Sequence, residues 1–441
     1  MTKIFNSVII SIGDKMIAII ISIITCLIMI LSILFFPKIT IKKITLDTYW
    51  IIALIGAIIL IIFKQVDLKT ILNVFTSSSS VNPIKILVLF ISMTILSIYL
   101  DEVGLFRYLA NLATKKAGNK QIKLFIYLYL LVSILTIFTS NDIIILTFTP
   151  FICYFAKNTK INPIPYLVAE FVGANTWSMM FLIGNPTNIY IGTFFDINFL
   201  EYLKVMFLPT IIGSLTSFLI LYLLFKKSLN KQLQITELES ITLNKPLLII
   251  GLIHLCLCTI LLVISSYISL EMWMITLGFA ISLLICVLIY KLITKNKDTH
   301  LLQTIKRLPY QLIPFVISMF VIVLSLKANN ITTAINEQLN NNYILYGLSS
   351  FLGANILNNI PMSVLFSEIL DGSSIKNIYA CIISSNLGAI LTPIGALAGI
   401  MWMSLLKKYD IDYSFKSFTK YGLLISIPTL FITLLVLYFI I

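Results

Sequence analysis

Thr139-Ser140-Asn141-Asp142 and Gly184-Asn185-Pro186-Thr187-Asn188 interrupt two hydrophobic stretches in the first half of the chain. The pattern returns in the second half as Asn358-Asn359-Ile360-Pro361, then Ser385-Asn386 followed by Thr392-Pro393-Ile394-Gly395. Hydrocarbon tolerates irregular backbone only where it is buried in protein or lines a cavity. Broken segments at matching places in two halves are the mark of a secondary transporter with a site near the bilayer midplane.

Composition agrees. With 59% hydrophobic residues, 11% charged and a mean hydropathy of +1.02, the chain is no ordinary soluble domain. Apolar runs of spanning length recur from residue 16 onward. The first, from about Met16 to Phe36, is too long for a signal-peptide core and lacks a small-residue cleavage site, so it reads as a retained span. The formal charge of +13 sits in short loops between spans, which indicates topology and no nucleic-acid footprint. The six cysteines lie in apolar segments, and Cys256-x-Cys258 has no partner pair or nearby histidine, so no metal or other cofactor is expected.

The chain reads as an all-α polytopic membrane protein of two five-span units. Residues 1–225 form the first, with spans near 16–36, 48–64, 83–100, 163–195 and 203–225. A linker at 226–245, read as a flexible cytoplasmic tether, leads to the second at 246–441, with spans near 246–266, 271–294, 309–326, 373–406 and 418–440. The fourth span of each unit, 163–195 and 373–406, is a broken helix. Before each lies a re-entrant hairpin, 122–156 and 343–370, whose polar centre has apolar arms. Each hairpin follows a polar stretch suited to the membrane surface, Asp101–Lys120 or Lys327–Asn342. Of 31 Lys and Arg, 23 fall in loops 37–47, 101–123, 157–162, 226–245, 291–308 and 407–420. The positive-inside rule puts those loops in the cytoplasm, and an odd number of spans per unit then inverts the second unit relative to the first.

The first hairpin tip offers hydroxyl, amide and carboxylate oxygens from Ser140, Asn141 and Asp142, with Thr147 and Thr149 on the descending arm. A half-helix starting there aims free N–H groups at a bound solute. Asp142 could titrate, coordinate a cation or cap that half-helix. In the first broken span, Asn175, Asn185, Thr187 and Asn188 can satisfy freed backbone or bind solute, while Pro186 removes a donor. Asn355, Asn358 and Asn359 at the second tip, and Ser385, Asn386 and Thr392 in the second break, are their counterparts. Asn175 lies 11 residues before Pro186 but Asn386 only 7 before Pro393, so the repeats differ by about one turn. Glu170 reads either as a second proton carrier or as a residue reaching for the interface, and Glu368 and Asp371 as solvated ends of a hairpin. His254 is lone and apolar-flanked.

At these residues the chain resembles the ion transporter superfamily, and within it the arsenite/antimonite efflux permeases, the arsenical pump membrane proteins. Ser140-Asn141-Asp142 with Leu146-Thr147-Phe148-Thr149-Pro150 looks like that family's Asn-Asp…Leu-Thr-Pro hairpin, and Asn185-Pro186-Thr187-Asn188 is similar to its Asn-x-x-Asn break. Asn358-Asn359-Ile360-Pro361, then Leu391-Thr392-Pro393-Ile394-Gly395-Ala396-Leu397-Ala398 and Trp402, match most fully. The resemblance implies an elevator-type transporter, in which hairpins and broken helices move against a scaffold. It also implies export of a neutral arsenic or antimony hydroxide against inward proton flow. Gly184-Asn185-Pro186-Thr187-Asn188 is similar as well to the Gly-Thr-Pro-Pro-Asn break of sodium-coupled citrate and dicarboxylate relatives.

The expected function is therefore secondary active transport, with proton-coupled arsenite/antimonite efflux leading. Sodium- or proton-coupled citrate or dicarboxylate transport, or sodium/proton antiport, are the alternatives. Ser140, Asn141, Asn175, Asn185, Thr187, Asn188, Asn358, Asn359, Asn386 and Thr392 would meet the solute, with Asp142 as the ion-coupling group (H+, or Na+ in the alternative). A neutral hydroxide needs amide and hydroxyl partners, and no arginine lies in these segments. A membrane enzyme is disfavoured: there is no His-Glu-x-x-His motif, and only Asp142 is convincingly inside for aspartyl chemistry. The partners expected are a small inorganic or carboxylate solute and the bilayer of the cytoplasmic membrane, and no nucleic acid. By analogy alone, a homodimer and a cytosolic ATPase are candidate assemblies.

Overall fold

A chain in hydrocarbon must close its backbone hydrogen bonds within helices, and the computed structural model is accordingly almost all helix. It describes residues 2–41, 44–77, 82–232, 243–265, 267–295 and 299–441, which contain twenty α-helices, two 3-10 turns and one β-hairpin. Half of the expected tether, residues 233–242, lies outside the described residues. Many helices start on an asparagine: the side chains of Asn82, Asn198, Asn244 and Asn342 accept from first-turn N–H groups.

Among the described residues, Lys15–Ile33, Pro83–Glu102, Gln121–Phe138, Phe199–Leu229, Lys245–Ile264, Met272–Thr294 and Phe415–Ile440 are long and apolar enough to cross a bilayer. The protein is a multi-pass membrane protein. Two expected crossings are shorter: Thr48–Ile62 has 15 residues and Leu312–Ala328 has 17, or roughly 22 and 26 Å. Conversely, Gln121–Phe138, the ascending arm of the first hairpin, is itself of spanning length. Length alone therefore does not separate hairpins from crossings. The hairpins are told apart by their tips, for Ser140, Asn141, Asn358 and Asn359 are all buried in protein.

Each stretch expected as a hairpin is a pair of helices, Gln121–Phe138 with Asn141–Thr159 and Tyr343–Leu357 with Asn359–Ile369. The first broken helix is Ile164–Trp177 with Pro186–Phe194, and the second is Ile375–Leu391 with Leu397–Lys408. Two expectations need correction. The loop at 37–47 contains a β-hairpin, Lys38–Ile41 paired antiparallel with Ile44–Asp47. Asp101 belongs to a buried helix end rather than to a surface stretch.

The element order repeats closely. Pro83–Glu102 ends in two residues, the second being left-handed Gly104 (φ 92°), before the surface helix Leu105–Ala117. Leu312–Ala328 likewise ends in two residues, the second being left-handed Asn330 (φ 57°), before Ile331–Leu339, and the chain bends there by 77°. Glycine, and after it asparagine, tolerates that conformation best. Packing repeats with the units exchanged. Pro83–Glu102 lies on Met272–Thr294, while Leu312–Ala328 lies on Thr48–Ile62. Asn141–Thr159 packs on Leu397–Lys408, and Asn359–Ile369 packs on Pro186–Phe194. Phe199–Leu229 and Phe415–Ile440 pack on each other.

Gly422 lets Phe415–Ile440 approach the end of Ile375–Leu391. A Cβ there would stand 2.3 Å from the Leu391 carbonyl oxygen and 2.5 Å from that of Ile390. Gly422→Ala should therefore destabilise the protein by about 1–3 kcal/mol, the usual range for overpacking. A lowered melting temperature in detergent would show it, and an unchanged one would refute the contact.

Candidate functional site

The two breaks share one backbone. In the first, extended Phe181 (φ −113°, ψ 148°) leads into the 3-10 turn Leu182–Gly184, and extended Asn185 (φ −147°, ψ 140°) leads out. In the second, extended Thr392 (φ −134°, ψ 158°) leads into Pro393–Gly395, and Ala396 (φ −149°, ψ 155°) leads out. The glycine closing each turn is obligatory for close approach. A Cβ on Gly184 would meet the Ser178 carbonyl oxygen at 2.4 Å, and one on Gly395 the Gly388 carbonyl oxygen at 2.5 Å. Pro186 starts the helix after the first break, whereas Pro393 starts the turn within the second. The two prolines are thus not equivalent, which removes the expected one-turn mismatch. Measured to the glycines, Asn175 and Asn386 stand at the same place, nine residues before Gly184 and Gly395. Each donates its amide N–H to the carbonyl four residues back, Phe171 at 2.8 Å and Ile382 at 2.8 Å.

Asn386 joins the breaks. Its Oδ1 accepts from Ser178 Oγ at 2.9 Å and Asn185 Nδ2 at 2.8 Å, and its Nδ2 donates to Asn188 Oδ1 at 2.6 Å. Asn188 Nδ2 donates to the Ser178 carbonyl at 2.8 Å, Asn185 Oδ1 caps the next helix at Thr187 N, and Thr187 Oγ lies 3.0 Å from Ser385 Oγ. Asn185, Thr187, Asn188 and Asn386 are fully buried. Four of the ten expected solute ligands are thus brought together but bind one another here. Their arrangement satisfies the backbone that the breaks set free.

The remaining six form two groups, one at each tip. At the first, Asn141 Nδ2 donates to Asn175 Oδ1 at 3.2 Å and Ser140 Oγ to Asn141 Oδ1 at 3.5 Å. Asp142 follows in the first turn of Asn141–Thr159, partly exposed. At the second, Asn358 (φ 79°) donates Nδ2 to the Ile394 carbonyl at 3.0 Å, and its buried Oδ1 has no partner among the described residues. Thr392 Oγ donates to Asn355 Oδ1 at 2.7 Å, and Asn355 Nδ2 reaches the Gly388 carbonyl at 3.0 Å. Four half-helices start at these places, at Asn141, Pro186, Asn359 and Leu397. Their N-termini carry N–H groups without intrahelical acceptors, which suit an oxygen-rich or anionic solute.

Other polar contacts emerge only from the fold. Glu170 is buried, so it does not reach for the interface; Thr149 Oγ lies 3.1 Å from both its carboxyl oxygens and Trp402 Nε1 donates to Oε2 at 3.3 Å. Glu368, expected in solvent, is buried and paired with Lys327 at 2.6 Å, while Asp371 is exposed as expected. Asp101 accepts from Thr147 Oγ at 2.8 Å and pairs with Arg307 at 2.7 Å. Asp101 and Lys327 each stand one residue before the end of equivalent helices, a correspondence visible only once the repeat is aligned. His254 is held by the Ile250 carbonyl at 2.7 Å and Ser282 Oγ at 3.1 Å.

Residues 39–380 match the family model described as citrate transporter. The chain is similar to the arsenical pump membrane protein of Escherichia coli strain K12, 27% identical over 78% of this chain and 84% of that one. It is equally similar to the protein of that name from Yersinia enterocolitica, again 27% over 78% and 84%. It is also similar to a 46 kDa membrane protein of Mycobacterium leprae, 22% identical over 85% and 90%. In fold it resembles the crystal structure of the YdaH transporter of Alcanivorax borkumensis, with a TM-score of 0.58 at 11% identity over 97% and 98% of the chains.

Asn386→Ala would leave Ser178, Asn185 and Asn188 short of partners. Unsatisfied buried groups cost about 1–3 kcal/mol each. The variant should melt well below the unsubstituted protein, and more so than Asn359→Ala, whose side chain makes no hydrogen bond among the described residues. Equal melting temperatures would refute the bridging role.

Proposed function

The chain belongs to the citrate transporter family, and we propose that it is a proton-coupled secondary exporter of arsenite and antimonite in the cytoplasmic membrane. The observation that carries this reading is the chemistry of the tips and breaks. They present amides, hydroxyls and helix N-termini, with Asp142 as the one carboxylate and no Lys or Arg in their hydrogen bonds. A neutral trihydroxide can donate to and accept from such groups, whereas an uncompensated multiply charged solute would lack a cation. The relatives named as arsenical pump membrane proteins support the same solute.

In this reading the two hairpins and two broken helices move as one body against the remaining helices. The contacts exchanged between units support a two-fold relation, and the charge of the loops supports inversion, with the basic loops cytoplasmic. Solute would bind between the tips, against Ser140, Asn141, Asn175, Asn358, Asn359 and Thr392. The Asn185, Thr187, Asn188 and Asn386 cluster would hold the floor of the site together. Asp142, with no hydrogen bond among the described residues, would take the coupling proton. A carboxylate solute with sodium is the second reading, favoured by the four half-helix N-termini.

Everted membrane vesicles containing the protein should accumulate arsenite under an imposed proton gradient, and Asp142→Asn should reduce this to the level of vesicles without it. No accumulation by the intact, inserted protein would overturn the arsenite reading. Sodium-dependent citrate uptake by the same vesicles would establish the second.

A further inference from the structure

Glu170 is 2% exposed and sits where three segments from both units converge. Its own helix is Ile164–Trp177, Thr149 comes from the descending hairpin arm Asn141–Thr159, and Trp402 comes from Leu397–Lys408 of the second unit. Trp402 is fixed in turn by Phe171 at 5.3 Å, Tyr413 at 5.3 Å and Phe418 at 5.6 Å between ring centroids. Thr149 is fully buried.

No Lys, Arg or His nitrogen among the described residues pairs with this carboxyl group. On the descending arm packed against its helix, Cys153 is a buried titratable side chain. Tyr129 of Gln121–Phe138 is turned to the Ser214 carbonyl and Tyr202 of Phe199–Leu229 to the Met179 carbonyl. Cys381 of Ile375–Leu391 is buried, and Lys157 and Lys407 are exposed at the ends of their helices. An ionised Glu170 would have one hydroxyl and one indole N–H to answer a full charge, a costly arrangement in membrane protein. A neutral Glu170 removes that charge and keeps a carbonyl oxygen to accept from Thr149 Oγ, which stands 3.1 Å from both carboxyl oxygens. The difference between the two forms falls on contacts that tie the units together.

We propose that Glu170 is a second proton-binding site, held inside the transport body by Thr149 and Trp402, which carries a coupling proton without touching the solute. This rests on the proton-coupled reading above. Thr149 is two turns along the arm from Asp142, about 10 Å, so Glu170 lies well below the tip where solute would bind. The proton adds to a carboxyl oxygen from water on one side and leaves to water on the other; no other bond changes. Moving with the body, the group would be presented to each side in turn.

The test is full-length protein in liposomes, with arsenite as probe, in two assays. One is net accumulation driven by a pH gradient, with proton flux measured alongside; the other is arsenite counterflow without a gradient. Glu170→Gln keeps the shape and the contacts to Thr149 and Trp402 but cannot release a proton. Counterflow should persist while the proton-to-arsenite ratio falls. An unchanged ratio overturns the proposal and leaves the proton-coupled reading standing. Absence of proton coupling in the unsubstituted protein, with arsenite or with citrate as probe, overturns both. Should Glu170→Gln not insert, Thr149→Val and Trp402→Phe each remove one donor and leave the acid in place. They should shift the pH dependence of net transport with counterflow retained, and unshifted profiles in both overturn the proposal.

Discussion

A helix broken inside a membrane leaves carbonyl and N–H groups that lipid cannot satisfy, and the rest of this structure is arranged around two such breaks. Glycine at 184 and 395 allows each chain to double back against its own carbonyls. Asn188 and Asn355 cover exposed backbone oxygens at Ser178 and Gly388. Asn386 then links one break to the other through Asn185 and Asn188. The asparagines of the breaks thus have a prior duty to the backbone, while the second tip keeps unused hydrogen-bonding capacity at Asn358 Oδ1.

The repeat is close in backbone and loose in chemistry. The equivalent helix ends at Asp101 and Lys327 both reach toward a descending hairpin arm, but with opposite charge. One meets Thr147 and Arg307, and the other meets Glu368. The first tip has Asp142 where the second has Ile360, counting from the starts of the two descending arms. Glu170 likewise has Cys381 in its place when both are measured to the turn glycines. A symmetric frame provides two-fold packing, while Asp142 and Glu170 sit on one side of it. Coupling chemistry can therefore be local to the first unit even though the frame needs both.

Positive charges follow the same logic. The ion pairs Lys85–Glu271, Arg307–Asp101 and Lys327–Glu368 all join segments distant in sequence at helix ends. In the Arg307 and Lys327 pairs the cation stays more exposed while its carboxylate is withdrawn from water, whereas in Lys85–Glu271 the lysine is the more buried partner. Breaking one partner of such a pair leaves the other uncompensated.

Hydropathy, loop charge and the doubled Asn, Gly and Pro interruptions determined by themselves the membrane setting, the hairpins and the broken helices. Those features follow from periodicity and local backbone preference, which are written in neighbouring residues. The boundaries at Asn141–Thr159 and Ile375–Leu391 fall close to where the pattern puts them for that reason. Which asparagine bonds which was decided only in three dimensions, because Asn185 and Asn386 are 201 residues apart. The same holds for the equivalence of Gly184 with Gly395 in place of Pro186 with Pro393, and for the burial of Glu170 and Glu368. A carboxylate in a helix looks alike in sequence whether it meets water, a lysine or an indole N–H. Only the packing of segments from both units fixes which of these it meets.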